Sequence, residues 1–336
     1  MKKLLTTTLV VLITLTLILT GCGANSTDKN SDDSSANESK VFKIGISQYV
    51  EHPALDAARE GFIEGLKEEG FEEGKNVEFS LENAQADFPT TQTIAKKFSS
   101  ENVDLILAIA TPSAQSAANV TKDIPILITA VTDPVSAGLV KSLESPETNV
   151  TGTTDMNPVK QQFELLKEIL PDAKNVGIVF NAAEANSKVQ VDIAKEAAKE
   201  LGLTIVEANV SNSSEVNQAI QTIADRIDAI YVPTDNTVAS AIGAVVKICN
   251  DAKIPVIGSE RAHIDNGGLA TIGIDYFLLG KQTGKMAARV LKGEKPAEIP
   301  VEDSKDLKLI VNKKAAAAIG IDVPEAVLSK ADEVIE

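Results

Sequence analysis

The chain has 336 residues, a formal net charge of −16 and an isoelectric point near 4.7. This acidic balance argues against nucleic acid or an anionic lipid surface as the main partner, because both would repel the protein. Two cysteines occur, Cys22 and Cys249. They provide no disulfide framework if Cys22 is modified, and Cys249 is expected to be a small core residue of an apolar helix.

Residues 1–21 have the pattern of a signal peptide. Lys2 and Lys3 precede an apolar, Thr-rich run over residues 4–20, which is too short and too early for an ordinary transmembrane helix. The run ends in Leu-Thr-Gly-Cys at 19–22, which resembles the bacterial lipobox. That resemblance implies cleavage before Cys22 and a diacylglycerol on its sulfur; a plain signal peptide with a chance cysteine is the alternative.

Residues 22–40 are predicted to be the lipidated cysteine and a disordered tether. The segment GANSTDKNSDDSSANESK holds no large apolar side chain, so it cannot bury enough surface to offset the entropy lost on ordering. Residues 41–336 exceed what one hydrophobic core usually serves, which favours two domains.

From residue 41 onward, short β-branched runs alternate with helical segments that begin near Pro53, Phe88 and Pro112. This alternation predicts βαβ units on a parallel sheet with both faces covered. After residue 154 it begins again, with the strand-like runs NVGIVF, LTIVEANV, DAIYVP and IPVIGS. Apolar side chains recur on one helical face over residues 187–201.

The two halves also resemble each other in detail. LILAIATPSAQSAANVTKDIPILI and AIYVPTDNTVASAIGAVVKICNDAKIPVIG both have the order strand, polar turn, helix, lysine-bearing turn and Ile-Pro before another strand. This internal duplication predicts an α/β protein with two similar doubly wound parallel-sheet lobes.

Six loops that follow predicted strands are rich in polar side chains. Ligands of open parallel sheets bind beyond the carboxyl ends of the strands, where helix N-termini offer unpaired N–H groups, so two facing lobes would bring these loops into one cleft. The candidate ligand-binding residues are Gln48, Glu51, Thr111, Ser113, Thr132, Asp133, Asn181, Glu184, Asn186, Thr234, Asp235, Asn236 and Asp275. Helix capping is the alternative role for each of them.

Other motifs favour neither a metal site nor nucleophilic chemistry. His52 and His263 are the two histidines, far apart in sequence and without a metal-spaced ligand. We expect His52 at the cleft and His263 at the surface or in a loop. Ser113 lies outside any Gly-x-Ser-x-Gly pattern, and the glycine-bearing stretch at 280–285 is one residue short of a phosphate loop and helical in pattern. No catalytic residue, metal or cofactor is expected, and the chain is not expected to be an enzyme.

Several runs together resemble the TrpX-like family of ABC-transporter substrate-binding proteins, and clostridial surface lipoproteins in particular. They are IGISQYVEHPALDAAREGF, ITAVTDPVSAGLV, NVTGTTDMNPVKQQFELLKEILPDAKNVGIV, YVPTDNTVASA and GIDYFLLGKQTGKMAARVLKGEKPAEIPVE. The resemblance implies a type I periplasmic-binding fold with a three-segment hinge. It assigns residues 41–153 and 276–299 to an N-terminal lobe and residues 154–275 and 300–336 to a C-terminal lobe, with crossings near 152–157, 275–278 and 299–303.

The family resemblance also implies a free aromatic amino acid as ligand, with tyrosine expected first because the loops are so polar, then tryptophan or phenylalanine. The expected carboxylate donors are Thr111, Ser113 and Thr132. The expected ammonium acceptors are Asp235 and Asp275, with Glu184 in reserve. Orientation of the ligand side chain or latching of the lobes is assigned to Gln48, Glu51, Asn181 and Asn186.

The expected partners are the permease of an importer and, through lipid on Cys22, the extracellular face of a Gram-positive cell membrane, with the protein itself a monomer. Three alternatives remain open from the sequence. One is an enzyme acting in the cleft, such as a racemase or hydrolase, which the missing nucleophile–base pair disfavours. The others are a surface adhesin, whose role could coexist with binding, and a sugar or purine binder on the same fold.

Overall fold

The computed structural model describes residues 40–304 and 306–336. The predicted signal peptide, the lipidation site Cys22 and tether residues 22–39 lie outside these ranges. Within them, no helix is both long and apolar enough to cross a bilayer.

Strands and helices alternate along the first half, as the sequence predicted. In chain order the elements are β1 (Phe42–Gln48), α1 (Pro53–Glu68), β2 (Val77–Asn83), α2 (Phe88–Glu101), β3 (Leu105–Ile109), α3 (Thr111–Val120), β4 (Ile126–Val131), β5 (Val150–Thr154) and α4 (Val159–Ile169). Helix α2 begins where Asp87 accepts the backbone N–H of Thr90 and ends at Asn102, which adopts the left-handed conformation that often terminates helices.

The second half repeats this order. Its elements are β6 (Asn175–Phe180), α5 (Ala185–Glu200), β7 (Thr204–Asn209), α6 (Val216–Ile223), β8 (Ala229–Val232), α7 (Asn236–Ala239), α8 (Ile242–Asp251), β9 (Val256–Gly258), α9 (Arg261–Asp265), β10 (Ala270–Ile274), α10 (Tyr276–Leu291), β11 (Glu302–Asp303), β12 (Leu307–Asn312), α11 (Lys313–Ile319), α12 (Glu325–Leu328) and β13 (Glu333–Ile335). Short 3₁₀ turns lie at Ser213–Glu215, Ala224–Arg226 and Pro296–Glu298.

The strands form two sheets. The first sheet has the order β11-β5-β4-β3-β1-β2 and is parallel throughout, and the second has the order β13-β12-β10-β9-β8-β6-β7, in which β10 and β12 pair antiparallel. Buried strands such as β3 and β4 are apolar along their whole length because helices cover both faces of the sheet. The predicted α/β class with two parallel-dominated sheets is confirmed.

The chain passes between the sheets three times. The first passage follows β5, the second separates β10 from α10, and the third follows β11. The third differs from the sequence expectation, which assigned residues 300–336 to the second lobe. Strand β11 instead pairs parallel with β5, so Glu302 and Asp303 belong to the first sheet, as does Thr154 at the end of β5. A two-residue edge strand is too short to give a periodic sequence signal.

Helices α1 and α10 pack with their backbones in direct contact. Each carries two glycines four residues apart, Gly61 and Gly65 on α1 and Gly280 and Gly284 on α10. A Cβ on Gly280 would overlap the carbonyl oxygen of Ala58, and the other three would meet backbone carbonyls in the same way. The stretch at 280–285 is therefore a helix-packing motif, consistent with the helical pattern expected from its sequence.

Gly280→Ala is expected to destabilise the protein by about 2–3 kcal/mol, because the added methyl group meets backbone that cannot move independently. Gly243→Ala is the matched control, since a Cβ on that exposed helical glycine would meet only Asn266 Oδ1, at an ordinary contact distance of 3.7 Å. The control should be neutral or stabilising by up to about 1 kcal/mol. Urea unfolding of both variants measures the difference, and equal stabilities would contradict the packing argument.

Candidate functional site

A cavity lies where loops of both sheets meet. Its walls come from residues that follow strands or begin helices, as expected for parallel sheets that face each other with their carboxyl ends. The lining residues are His52, Leu55, Ala130, Thr132, Asp155, Asn186, Thr234, Asp235, Asn236, Ala239, Glu260 and Tyr276.

The first sheet contributes a wall of mixed polarity. His52 immediately precedes α1 and is almost fully buried, and burial lowers the pKa of its imidazole to about 4. Asn236 lies near enough to oppose that shift. Ala130 lines the cavity with a φ of 55°, beside a register shift between β4 and β5. Left-handed backbone at a non-glycine residue is strained, and such strain concentrates at ligand sites.

The wall from the second sheet is built around Asp235. This carboxylate accepts the backbone N–H of Val238 at the start of α7, at 2.8 Å, and the backbone N–H of Asn181 at 2.6 Å. Burial, followed by the charge of Glu184, raises the pKa of Asp235 to about 7. Asp235 therefore caps a helix and also lines the cavity, so the two roles weighed for it coexist.

The floor of the cavity is a buried network of Asp155, Tyr276 and Glu260. The Tyr276 hydroxyl donates to Asp155 Oδ2 at 2.6 Å, and the Thr132 hydroxyl donates to Asp155 Oδ1 at 3.0 Å. Burial raises the pKa of Asp155 above its ordinary value. Burial and the charge of Asp155 together raise the pKa of Glu260 to about 8. Asp155 and Tyr276 adjoin two of the three chain passages.

Several buried polar atoms around this cavity have no hydrogen-bond partner among the described residues. They are Glu260 Oε1, Asn186 Oδ1 and both ring nitrogens of His52. Unsatisfied polar groups are rare in protein interiors and call for an explanation. A polar ligand in the cavity supplies one, because it would bring both donors and acceptors.

The two sides of the cavity touch. Thr132 follows β4 of the first sheet and Thr234 follows β8 of the second, and their hydroxyl oxygens lie 3.4 Å apart. The structure therefore shows the closed arrangement, in which the loops of the two sheets are in contact across the cavity.

The structure brings five of the predicted residues to the cavity: Thr132, Asn186, Thr234, Asp235 and Asn236. Two more lie directly behind its wall. Glu184 Oε1 accepts the Thr237 N–H, and Glu184 Oε2 accepts the Asn236 N–H. The side chain of Asn181 donates to the Thr237 hydroxyl. Both residues shape the loop that carries the lining and do not line the cavity themselves.

The other predicted residues do not line the cavity. In the first sheet, the Gln48 side chain bonds to Asp56 and Arg59, and Glu51 is exposed. Asp133 accepts two backbone N–H groups of its own turn. Asp275 caps α10 by accepting the Leu278 N–H, so capping and not ammonium binding is the role that the geometry gives it.

Thr111 and Ser113 are buried in the first turn of α3, and they also lie outside the cavity lining. Neither hydroxyl has a hydrogen-bond partner among the described residues. Their expected contact with a ligand carboxylate is not seen in this closed arrangement.

Sequence reasoning missed Asp155, Glu260 and Tyr276. The rule that found the other loops applies to them as well, because Asp155 follows β5 directly and Glu260 follows β9 after one residue. Tyr276 is one position beyond the predicted Asp275. His263 was placed wrongly: it is fully buried, and its Nδ1 accepts the Ser259 N–H at 3.3 Å. Its helix, α9, is too short for its apolar residues to show a helical periodicity in the sequence.

Comparison with known proteins agrees with this geometry. A family model described as ABC transporter substrate binding protein matches residues 43–335. The chain belongs to this family. It is therefore a solute-binding protein that acts outside the cytoplasm, and not an enzyme.

Individual relatives cover most of the chain. A tyrosine-binding protein from Clostridioides difficile is 48% identical over 303 residues, which are 90% of this chain and 88% of the relative. A Streptococcus domain solved in complex with L-Trp is 41% identical with a TM-score of 0.85, covering 88% of this chain and all of that one. A ligand-free, open substrate-binding protein with adhesive properties from Clostridium difficile is 51% identical with a TM-score of 0.67, covering 88% and 99%.

This chain is structurally more similar to the L-Trp complex, with a TM-score of 0.85, than to the open protein, with 0.67. Its sequence is nevertheless closer to that of the open protein, at 51% against 41% identity. This contrast agrees with the closed arrangement that the Thr132–Thr234 contact shows.

Glu184→Ala is expected to lower the free energy of unfolding by about 2–4 kcal/mol, because it leaves buried N–H groups of Asn236 and Thr237 without an acceptor. Glu51→Ala is the control, since Glu51 is exposed and the change should stay within about 0.5 kcal/mol. Urea denaturation checks both values. If Glu184→Ala lowers the free energy of unfolding no more than Glu51→Ala does, Glu184 does not have this structural role.

Proposed function

We propose that the protein binds a free aromatic amino acid, with L-tyrosine as the first candidate, in the cavity between the two sheets, and delivers it to the permease of an ABC importer. The observation that carries this proposal is the acidic cavity, which closes around buried and unpartnered polar atoms. The tyrosine-binding and Trp-bound relatives support the same ligand class.

The ammonium group of the ligand fits the acidic side of the cavity. Asp155, Asp235 and Glu260 line it, and no lysine or arginine is among its described lining residues. The proposed set keeps Asp235 from the sequence expectation and leaves out Asp275, which caps α10, and the reserve candidate Glu184, which lies behind the cavity wall. The acidic lining also disfavours a neutral sugar, because a neutral ligand would leave buried carboxyl groups without a compensating charge.

The carboxylate of the ligand requires donors on the opposite side. The neutral His52 ring has one N–H. The Thr234 hydroxyl accepts from the side chain of Gln190, so it can donate its own proton to the ligand in place of the Thr132 oxygen 3.4 Å away. Leu55, Ala130 and Ala239 provide apolar surface for the aromatic ring. A buried ring removes roughly 150–250 Å² from water, which contributes about 4–6 kcal/mol at about 25 cal/mol per Å². Charge-assisted hydrogen bonds of about 1.5–3 kcal/mol each then bring a micromolar complex within reach.

We assign the unpartnered Asn186 Oδ1 to a polar donor on the ligand side chain. Tyrosine has a phenolic hydroxyl and tryptophan an indole N–H, whereas phenylalanine has no such donor. A site whose buried acceptor stays unpaired binds more weakly by about 1–3 kcal/mol.

Calorimetric titration should therefore give micromolar dissociation constants for L-tyrosine or L-tryptophan and an affinity for L-phenylalanine about 5- to 150-fold weaker. Asn186→Ala should narrow this difference, because the acceptor is gone. A thermal-shift screen over the twenty amino acids is the first test, since a ligand that binds the folded state raises its melting temperature. No response to any aromatic amino acid would refute the proposed function.

We further propose that the protein is held at the outer face of the membrane through lipid on Cys22, with residues 22–40 as its tether, and that it acts as a monomer. The sequence pattern at 19–22 and the apolar run before it support this anchoring. A solute-binding protein needs such an anchor where no periplasm retains it.

Adhesion is a second candidate role, and it can coexist with solute binding. The observation that favours it is the 51% identical relative with adhesive properties. The purified protein should then compete with intact bacteria for attachment to host cells, in proportion to its concentration. Attachment that is unchanged at saturating protein would exclude this role.

A further inference from the structure

Three carboxyl groups line the closed cavity, and they differ in how well their charge is compensated. Asp155 accepts two hydroxyl groups, and Asp235 accepts two backbone N–H groups. Glu260 is 3% exposed, and its Oε1 has no hydrogen-bond partner among the described residues. Glu260 is therefore the least compensated of the three.

His263, on α9, does not neutralise Glu260. Its Nε2 lies 3.3 Å from Glu260 Oε1, but the two atoms are not aligned as a hydrogen bond. Because Nδ1 accepts the Ser259 N–H, the ring proton sits on Nε2. Burial lowers the pKa of His263 to about 3, so the ring is neutral near pH 7.

The remaining groups near Glu260 supply no positive charge either. Tyr276 from α10 interacts with it through a neutral hydroxyl, and Asp155 from the end of β5 adds a negative charge. Asp235 before α7 is a further acid, and His52 before α1 is neutral at pH 7. Closing the cavity without a ligand thus buries Glu260 with no cation beside it.

We propose that Glu260 makes closure of the cavity depend on a ligand ammonium group: its carboxylate accepts the ammonium, and without one its unpaired charge opposes closure. This inference rests on the proposed function, because it assumes a ligand that carries an ammonium group. A buried charge without a partner is strongly destabilising. Because the Glu260 carboxylate has no ammonium partner in the empty protein, the empty protein favours the open form. An importer that recognises the closed form would then receive loaded protein.

In this scheme a proton bound to the Glu260 carboxylate can neutralise it in place of the ligand ammonium group. The pKa of Glu260 in the closed form, about 8, is above its ordinary value of 4.5. In this scheme opening hydrates Glu260 and returns its pKa towards the ordinary value, so closure of the empty protein takes up a proton between those two pH values. Within this window each unit of acidification favours the closed form by up to about tenfold. Outside the window the Glu260 carboxyl has the same protonation state in both forms, and its effect on closure is constant.

Glu260→Gln separates this role from a purely structural one, because it should have two opposite effects. The variant should lose about 10- to 150-fold in affinity for L-tyrosine, since a charge-assisted bond is gone. The empty variant should nevertheless be more compact than the empty wild-type protein at pH 8, with a smaller radius of gyration in small-angle X-ray scattering. Asp265→Asn is the matched control, because it removes an exposed carboxylate from the same helix, and it should behave as the wild type in both measurements.

The ligand's ammonium group itself gives a second readout. The wild-type protein should prefer L-tyrosine to 3-(4-hydroxyphenyl)propionate, which lacks the amino group, and Glu260→Gln should reduce that preference. The empty wild-type protein should also become more compact as the pH falls from 8 to 6.5, a measurement that needs no substitution and stays above the range in which protonation of His52 would oppose closure.

An affinity and a radius of gyration that Glu260→Gln leaves unchanged would overturn the proposal, as would an empty wild-type protein whose size is independent of pH. If wild-type protein binds no aromatic amino acid, the proposed ligand is wrong, while compaction of the empty variant still reports on Glu260. If tyrosine binds and the variant neither loses affinity nor compacts, the ligand is right and the role of Glu260 is wrong.

Discussion

The constraint on which the site depends is negative charge enclosed without a positive partner. Asp155, Asp235 and Glu260 are all buried at the cavity between the two sheets, and burial raises the pKa of each. A low-dielectric cavity amplifies both the penalty for unpaired charge and the benefit of pairing it. The same groups that make the empty closed form unfavourable make a bound ammonium favourable. Selectivity and closure thus arise from one interaction.

The scaffold makes this interaction possible by holding the charged groups on different elements around the cavity. Asp235 belongs to the second sheet, whereas Asp155 and Tyr276 lie beside two of the chain passages between the sheets. Helix α10 re-enters the first sheet's side of the molecule and is fixed there by backbone contact with α1. Tyr276 is consequently a rigid reference point, and its hydroxyl holds Asp155 at 2.6 Å.

The sequence predicted the fold well because the relevant signals are repeated and periodic. Eight predicted strand runs and the duplicated order of elements recur in the two sheets, since buried parallel strands need continuous apolar residues. The short strand β11 was missed because two residues are too few to show the alternating pattern of a strand. The site was predicted in part. Loops after β4, β6 and β8 contribute to the cavity, whereas Gln48, Glu51 and Asp275 lie outside it.

Which residue of a polar loop faces the cavity depends on backbone direction, and sequence pattern alone does not encode that direction. Asp275 and Tyr276 illustrate the limit: the acid caps α10, and the tyrosine beside it lines the cavity. Glu260 was missed because α9 is five residues long and its loop looks like an ordinary surface turn. His263 looked like a surface residue for the same reason, although it is fully buried.

A crystal structure of the protein with bound L-tyrosine tests the central claim most directly. The account predicts the ligand nitrogen within about 3.2 Å of a Glu260 oxygen, a hydrogen-bond distance, with the sheets as close as they are here. A ligand whose nitrogen contacts Asp275 or solvent, with Glu260 facing only protein atoms, would contradict it.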